Sequence, residues 1–383
     1  MLNPRQTHPH GANGGERGQV LAIGALLFVA LIAMGALLLE GGNAFAQQRI
    51  TQNGSDSAAN AGALVLAQRL GGATKSDTDV LNAVTAMTST NSLTAFAAHY
   101  TDVKGKAIDV NGAPTSSSGN PAAAVGGGVI PPSAQGVAVG GTRTFGTVLA
   151  RALGINSFDA SADATAVTGR LVGGAFLPVI FPVSISDCSG NGSLVWTQTQ
   201  WQKSQPPNGS PYPTGTEYIV PLCKTGSGSF QILDLDPTLT CREEAANPPF
   251  IEWTTFPVDV PVDNGNNCAK PIADEVNLNL LLKPVMIPIC DVNCYTGSGS
   301  NGVYHIKGVA AFYIDYMSDS NNKNNGACLG GTSPTSGQTL TNVIGGNGSS
   351  SCVVGWFIDF ITAGPVGTGS LSNGEAIGVQ LIR

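Results

Sequence analysis

The pattern of apolar and polar positions changes character twice along the first seventy residues. Residues 20–39 read VLAIGALLFVALIAMGALLL without a single charge. At about 1.5 Å per helical residue, such a run reaches about 30 Å, the thickness of a bilayer's hydrocarbon core. It predicts a helix that crosses a membrane. Beyond it, Ser55, Ala58, Ala59, Gly62, Ala63, Leu66 and Leu70 recur at three- and four-residue steps. Residues 44–70 are therefore expected to continue as a helix with a stripe of small side chains, which lets another helix or sheet approach closely. Gly41, Gly42 and Gly54 each weaken that helix by about 1 kcal/mol and are the expected places for a kink.

Further along, Asp77 is placed to cap a second helix through Val80, Val84 and Met87, with Asn91 as its stop. Two short strands are expected at 99–104 and 106–111, then a flexible Ser/Gly/Pro-rich loop over 112–133. A strand around Val137 and Val139, a helix at 145–153 and a strand at 158–167 come next. From about Gly173 the texture shifts to aromatic and apolar runs divided by Gly, Asn and Ser turns: 177–185, 217–222, 256–262, 285–289, 303–316, 353–361 and 377–381. These read as strands of a sandwich or barrel, with 275–282 a helical or extended excursion. The fold class is α+β: a tail over 1–19, a span over 20–39, a helical stalk with an α/β module over 40–172, and a β-rich sandwich-like domain over 173–383.

Composition sharpens this picture. Only 11% of the 383 residues are charged, against about 25% in an ordinary soluble domain, which argues against a cytosolic protein. A net charge of -7 leaves no basic surface for a nucleic-acid backbone. Arg5 and Arg17 precede the span, and Arg49 is the only basic residue in the twenty after it, so the N-terminus is expected inside. The rival is a signal peptide cleaved after Ala46, since Ala44-Phe45-Ala46 has the small-x-small pattern. The length of the run and the acidic Glu40 favour an uncleaved anchor.

All eight cysteines (Cys188, Cys223, Cys241, Cys268, Cys290, Cys294, Cys328 and Cys352) fall on the far side of the span. An even number there points to disulfides. Cys328 with Cys352 is the preferred pair, since the two bracket a Gly/Ser/Thr-rich loop. The competing reading is zinc on Cys290 and Cys294, with His305 as the only nearby imidazole.

Motifs of catalysis are otherwise decoys. Gly297-Ser298-Gly299-Ser300-Asn301-Gly302 has the letters of a dinucleotide loop but leads into a strand, not a helix. Asp234-Leu235-Asp236 and the 263–267 turn offer oxygen ligands without completing a calcium loop. Apart from His8 and His10 in the tail, His99 and His305 are the only imidazoles, and His305 reads as an ordinary strand residue. No catalytic residue, cofactor or metal is expected.

One stretch carries a family resemblance. Glu16-Arg17-Gly18-Gln19, the apolar span closed by Glu40-Gly41, Gln47-Gln48-Arg49-Ile50-Thr51-Gln52-Asn53 and 55–63 together resemble the N-terminal segment of TadG-like proteins of the Flp/Tad pilus assembly system. The 137–167 region is similar to the strand-helix-strand part that comes after that segment in pilin-like proteins. The resemblance implies a pilin-like module, a bacterial cytoplasmic membrane crossed once, and an exported C-terminal domain. Processed prepilins of this system carry Glu at the fifth position after the cleavage glycine, where this chain has Ile23. An unprocessed anchored component is thus implied, not a shaft subunit. The von Willebrand A variant, with its D-x-S-x-S loop, is not supported by Asp187 or Asp315. The expected function is non-enzymatic contact with other Tad pilus-assembly and pilin-like proteins through Ser55, Ala58, Ala59, Gly62, Ala63 and Leu66. The alternative is a surface binding or adhesion module in which 173–383 captures a ligand on a stalk. An envelope hydrolase depending on His99 or His305 comes third.

Overall fold

The structure is a computed structural model that describes residues 16–182, 197–198, 217–222, 232–253, 255–262, 268–297, 301–318, 351–358, 360–369, 371 and 375–382. A 55-residue helix, α1 (Glu16–Leu70), runs through Gly41, Gly42 and Gly54 without a break. Its apolar first half is long enough to cross a membrane and is covered by nothing else in the described chain. Its second half buries one face in the head of the protein.

The second helix, α2 (Asp77–Thr90), stops at Asn91 as expected, but Ser76 is its cap, not Asp77. Ser76 and Asp79 close a reciprocal capping box. Next come β1 (Ala95–Thr101), a single helical turn α3 (Thr115–Ser118), β2 (Gly136–Gly146) and β3 (Ser157–Leu171). The strand expected at 106–111 reduces to two isolated bridges, Thr101 with Ala107 and Ile108 with Pro114. The 112–133 stretch is not a free loop either, because Ala123 and Val125 drop into the core and the Tyr100 N–H donates to the Ala123 carbonyl at 2.9 Å. β2 and β3 pair antiparallel from Gly136 opposite Val167 to Gly146 opposite Ser157. That ladder holds Phe145 against Phe158, so the helix expected at 145–153 shrinks to a short 3-10 turn, Ala150–Leu153.

Past β3 the chain leaves this sheet. It forms β4 (Gly173–Ala175), β5 (Phe181–Pro182), β6 (Thr197–Gln198), β7 (Glu217–Leu222), α4 (Cys241–Ala246), β8 (Phe250–Glu252), β9 (Val258–Pro261) and α5 (Ala269–Glu275). After a π turn at Val276–Leu280 come β10 (Pro284–Thr296), β11 (Val303–Ser318) and β12 (Ser351–Phe357). Seven of these strands make one sheet in the order β5-β10-β11-β12-β7-β6, with β9 also on β11, while β4 pairs with β8 apart from it. The region is β-rich, as expected, and among the described residues one face of its main sheet is covered by helices. Ala310, Phe312 and Ile314 of β11 pack in one core with Ala245, Ile272, Ala273 and Val276 from α4, α5 and the π turn. Val309 and Ala311, on the opposite face, pack with Trp253, Val260 and Ala376. Over 309–314 both faces of the strand are covered, which explains the apolar run VAAFYI at its centre.

The chain then returns. β13 (Ile361–Ala363), β14 (Val366–Gly367) and β15 (Ile377–Ile382) join the first sheet, whose order is β1-β2-β3-β15-β13 with β14 also on β3. A boundary at 172/173 therefore misassigns the last strands. The seven-stranded region is inserted into the first module between β3 and β13, and the first module's sheet is completed only by β13, β14 and β15.

Candidate functional site

The small-residue stripe lies where α1 crosses the first sheet. Ser55, Ala58, Ala59, Ala63 and Leu66 are almost wholly buried, and Gly62 is buried with them. Facing them, β3 turns Ala160, Ala162, Ala164 and Ala166 inward at every second position. Small meets small, so the helix backbone sits close to the strands. A Cβ on Gly62 would stand 3.0 Å from the Val137 side chain, and one on Gly141 would stand 2.6 Å from Ser55 Oγ. Ser55 Oγ donates to the Ala162 carbonyl at 2.9 Å, and Gln48 donates to the Ser161 carbonyl at 2.7 Å. The expectation that this stripe meets another protein is corrected here: its partner is the chain's own sheet, and a face buried this completely has no area left for a second contact.

Below the stripe, at the end of the apolar run, Glu40 makes a junction that the sequence did not signal beyond its acidic character. Its Oε1 accepts the N–H groups of Val148, Leu149 and Ala150 at 2.7, 2.6 and 2.9 Å. The Ala150 N–H above all, with Leu149 and Val148 behind it, holds the Glu40 carboxyl below its usual range against a desolvation that acts the other way. The β2–β3 turn is thereby tied to the residue that closes the apolar run.

Asp77, released from capping, takes a different role. It is buried and accepts the Tyr100 hydroxyl at 2.6 Å and the N–H groups of Gly126 and Gly128 at 2.9 and 2.7 Å. Burial first, and the hydrogen bond to Asp77 second, push the Tyr100 hydroxyl well above its ordinary value. One carboxylate so fastens the 112–133 segment to α2 and β1.

The chain matches no family model, no curated protein and no solved structure. The site is therefore read from its own chemistry.

Of the cysteines, Cys241 and Cys268 form a disulfide that joins the start of α4 to the residue before α5. Cys290 is also disulfide-bonded, which removes it as a thiolate for zinc beside Cys294. Cys188, Cys223 and Cys328 lie outside the described residues, as do the side chains of Cys294 and Cys352, so the expected Cys328–Cys352 pair falls there too. Among the described residues no group of three or more His, Cys, Asp or Glu side chains could hold a metal. Asp236 accepts from the Thr238 N–H and hydroxyl, a closed turn. The 263–267 turn is outside the described residues.

His305 is more than an ordinary strand residue: its Nδ1 meets Asp259 across the β9–β11 pair and its Nε2 lies 3.0 Å from Thr296 Oγ1 on β10. The order resembles a nucleophile, base and carboxylate. The side chains of His305 and Asp259 are 37% and 62% exposed, however, and water at an open sheet face competes for every one of these bonds. A cross-strand polar ladder accounts for the arrangement. His99 lies on β1, where burial lowers its pKa, partly offset by Asp163.

Where the two sheets meet, Arg170 of β3 holds Glu375 with Nε on Oε2 at 3.0 Å and Nη2 on Oε1 at 2.9 Å. The Glu375 carboxylate is fully buried. Arg170 also donates to the Lys307 carbonyl of β11 at 3.2 Å and stacks over Phe256. No pattern in the sequence links these residues; the pairing exists only because the chain returns.

Proposed function

We propose that this protein is a non-enzymatic, membrane-anchored component of an envelope-spanning assembly of the Tad pilus type, holding its partners by contact. The observation that carries the reading is α1: one unbroken helix whose first half is apolar and uncovered and whose second half is seated in a sheet of its own chain. This layout supports the reading of a pilin-like module, which the TadG-like resemblance of residues 16–63 implies. The unbroken run of α1 through Ala44-Phe45-Ala46 favours an anchor over a cleaved signal, because the small-x-small pattern lies inside a helix. With the basic residues before the span, the N-terminus is inside and the head is on the far side of a bacterial cytoplasmic membrane. Since the Ala59 stripe is internal, contact with other subunits falls to the uncovered apolar half of α1, where Gly24 and Gly35 have open space around them and helices pack through small residues.

Crosslinking and co-purification from membranes test this. Gly24→Leu with Gly35→Leu is expected to reduce partner recovery while leaving the amount of folded protein unchanged. Unchanged recovery would remove the span as the contact surface.

The second reading, a binding module on a stalk, is favoured by the inserted position of the seven-stranded region, which a scaffold can carry without interrupting its own sheet. Replacing residues 174–360 by a short linker separates the two. Loss of surface adhesion with partner recovery intact supports the binding module.

A further inference from the structure

The turn between β2 and β3 sits at the end of the head that faces the span. Gly62 over Val137, Ser55 over Ala162 and Glu40 at the Val148–Ala150 amides show that β2 runs down towards the span and β3 runs back up. The turn exposes apolar side chains: Val148 is 62% exposed, Ile155 44%, Leu149 37%, and Phe158 at the start of β3 40%. Scattered singly these would mean nothing, but they share one turn at one end of the head. We propose that this turn is a membrane-seated foot, whose side chains enter the headgroup–acyl boundary of the bilayer that α1 crosses.

Continuity decides the occupant. The turn's backbone is held at 2.6 to 2.9 Å by Glu40, the residue directly after the last apolar position of the span. A bilayer filled by residues 20–39 ends at the level of Glu40, so the turn has no room to stand away from it. Burying backbone amides in a lipid interface is costly unless they are bonded. The three N–H groups of 148–150 already are, to Glu40. Arg151, exposed beside them, can lay its stem along the apolar surface and keep its guanidinium among lipid phosphates. The head would then stand on two points, the helix and the turn, and its orientation to the membrane would be fixed.

The inference rests on α1 crossing the bilayer, and the test separates the two. Full-length protein is placed in phosphatidylcholine nanodiscs whose lipids carry bromine either near the headgroup or deep in the acyl chain. Val148→Trp and, as a reference, Leu31→Trp are compared with wild type, so that the four native Trp residues cancel. The added emission of Val148→Trp is expected to fall by about half or more with headgroup-proximal bromine, and that of Leu31→Trp with deep bromine. If Leu31→Trp is quenched and Val148→Trp is not, the foot is refuted while the span stands. In that case a red-shifted emission means water around the turn, and a blue shift that depends on protein concentration means a second copy. If neither is quenched, both the span and the foot fall.

Discussion

Arg170 and Glu375 sit where the two sheets meet, so a substitution there should be felt in both. Arg170→Ala leaves the buried Glu375 carboxylate without its guanidinium, a kind of loss that costs about 3–5 kcal/mol. A urea titration of the detergent-solubilised protein is expected to show a clearly lower midpoint for Arg170→Ala, with a much smaller change for Lys270→Ala, whose exposed pair with Asp274 lies on the surface of α5. His99 supplies a pH dependence of known sign. Its folded pKa is lowered, chiefly by burial, so the unfolded chain takes up the proton first and stability falls as pH drops through about 6.5 and below. The melting temperature of the wild type should therefore decline between pH 7 and pH 5 more steeply than that of His99→Gln. Equal slopes would mean that His99 titrates alike in both states.

The Gly62 and Ala59 contacts of α1 set the next expectation. Gly62→Leu drives a side chain into Val137, already 3.0 Å from where a Cβ would stand, and overpacking of this kind costs about 1–3 kcal/mol. Limited proteolysis should show a looser first module, with cleavage rising in 112–133 before the seven-stranded region is touched. The periodic parts of these elements were legible in the sequence. The stripe of α1, the Val80 and Val84 face of α2 and the alternating alanines of β3 each carry their own period, and those elements form where expected. Their partner was not legible, because a stripe of small residues fits a neighbour's sheet and the chain's own sheet equally well. The 145–153 helix failed for a related reason: Phe145 belongs to a ladder whose other half begins at Ser157, and cross-strand pairing outweighs local propensity. α4 and α5, of six and seven residues, are too short to show an apolar period at all, so the helices that cover the sheet were not legible.

At the scale of the whole molecule, the seven-stranded region hangs between two halves of one sheet. Removing β13, β14 and β15 by ending the chain at 360 strips β3 of both β15 and β14 and uncovers Leu171, which is fully buried. Such a truncated chain is expected to lose the cooperative thermal transition of the first module, seen as a near-ultraviolet circular dichroism signal that melts broadly or is missing. Survival of a sharp transition would show that α1, β1, β2 and β3 suffice.

The return of β15 also imposes a schedule. Thr168 Oγ1 of β3 donates to the Gly378 carbonyl, 210 positions further on. A growing chain offers Thr168 long before Gly378 exists, and contacts of such separation form late. Throughout that interval the free edge of β3 can pair with any passing strand. The Glu375 carboxylate arrives late as well, and its grip on Arg170 ties the closed edge to the second sheet. Completion of the sheet thus works as a latch: a chain that stops short of β15 leaves that edge of β3 open.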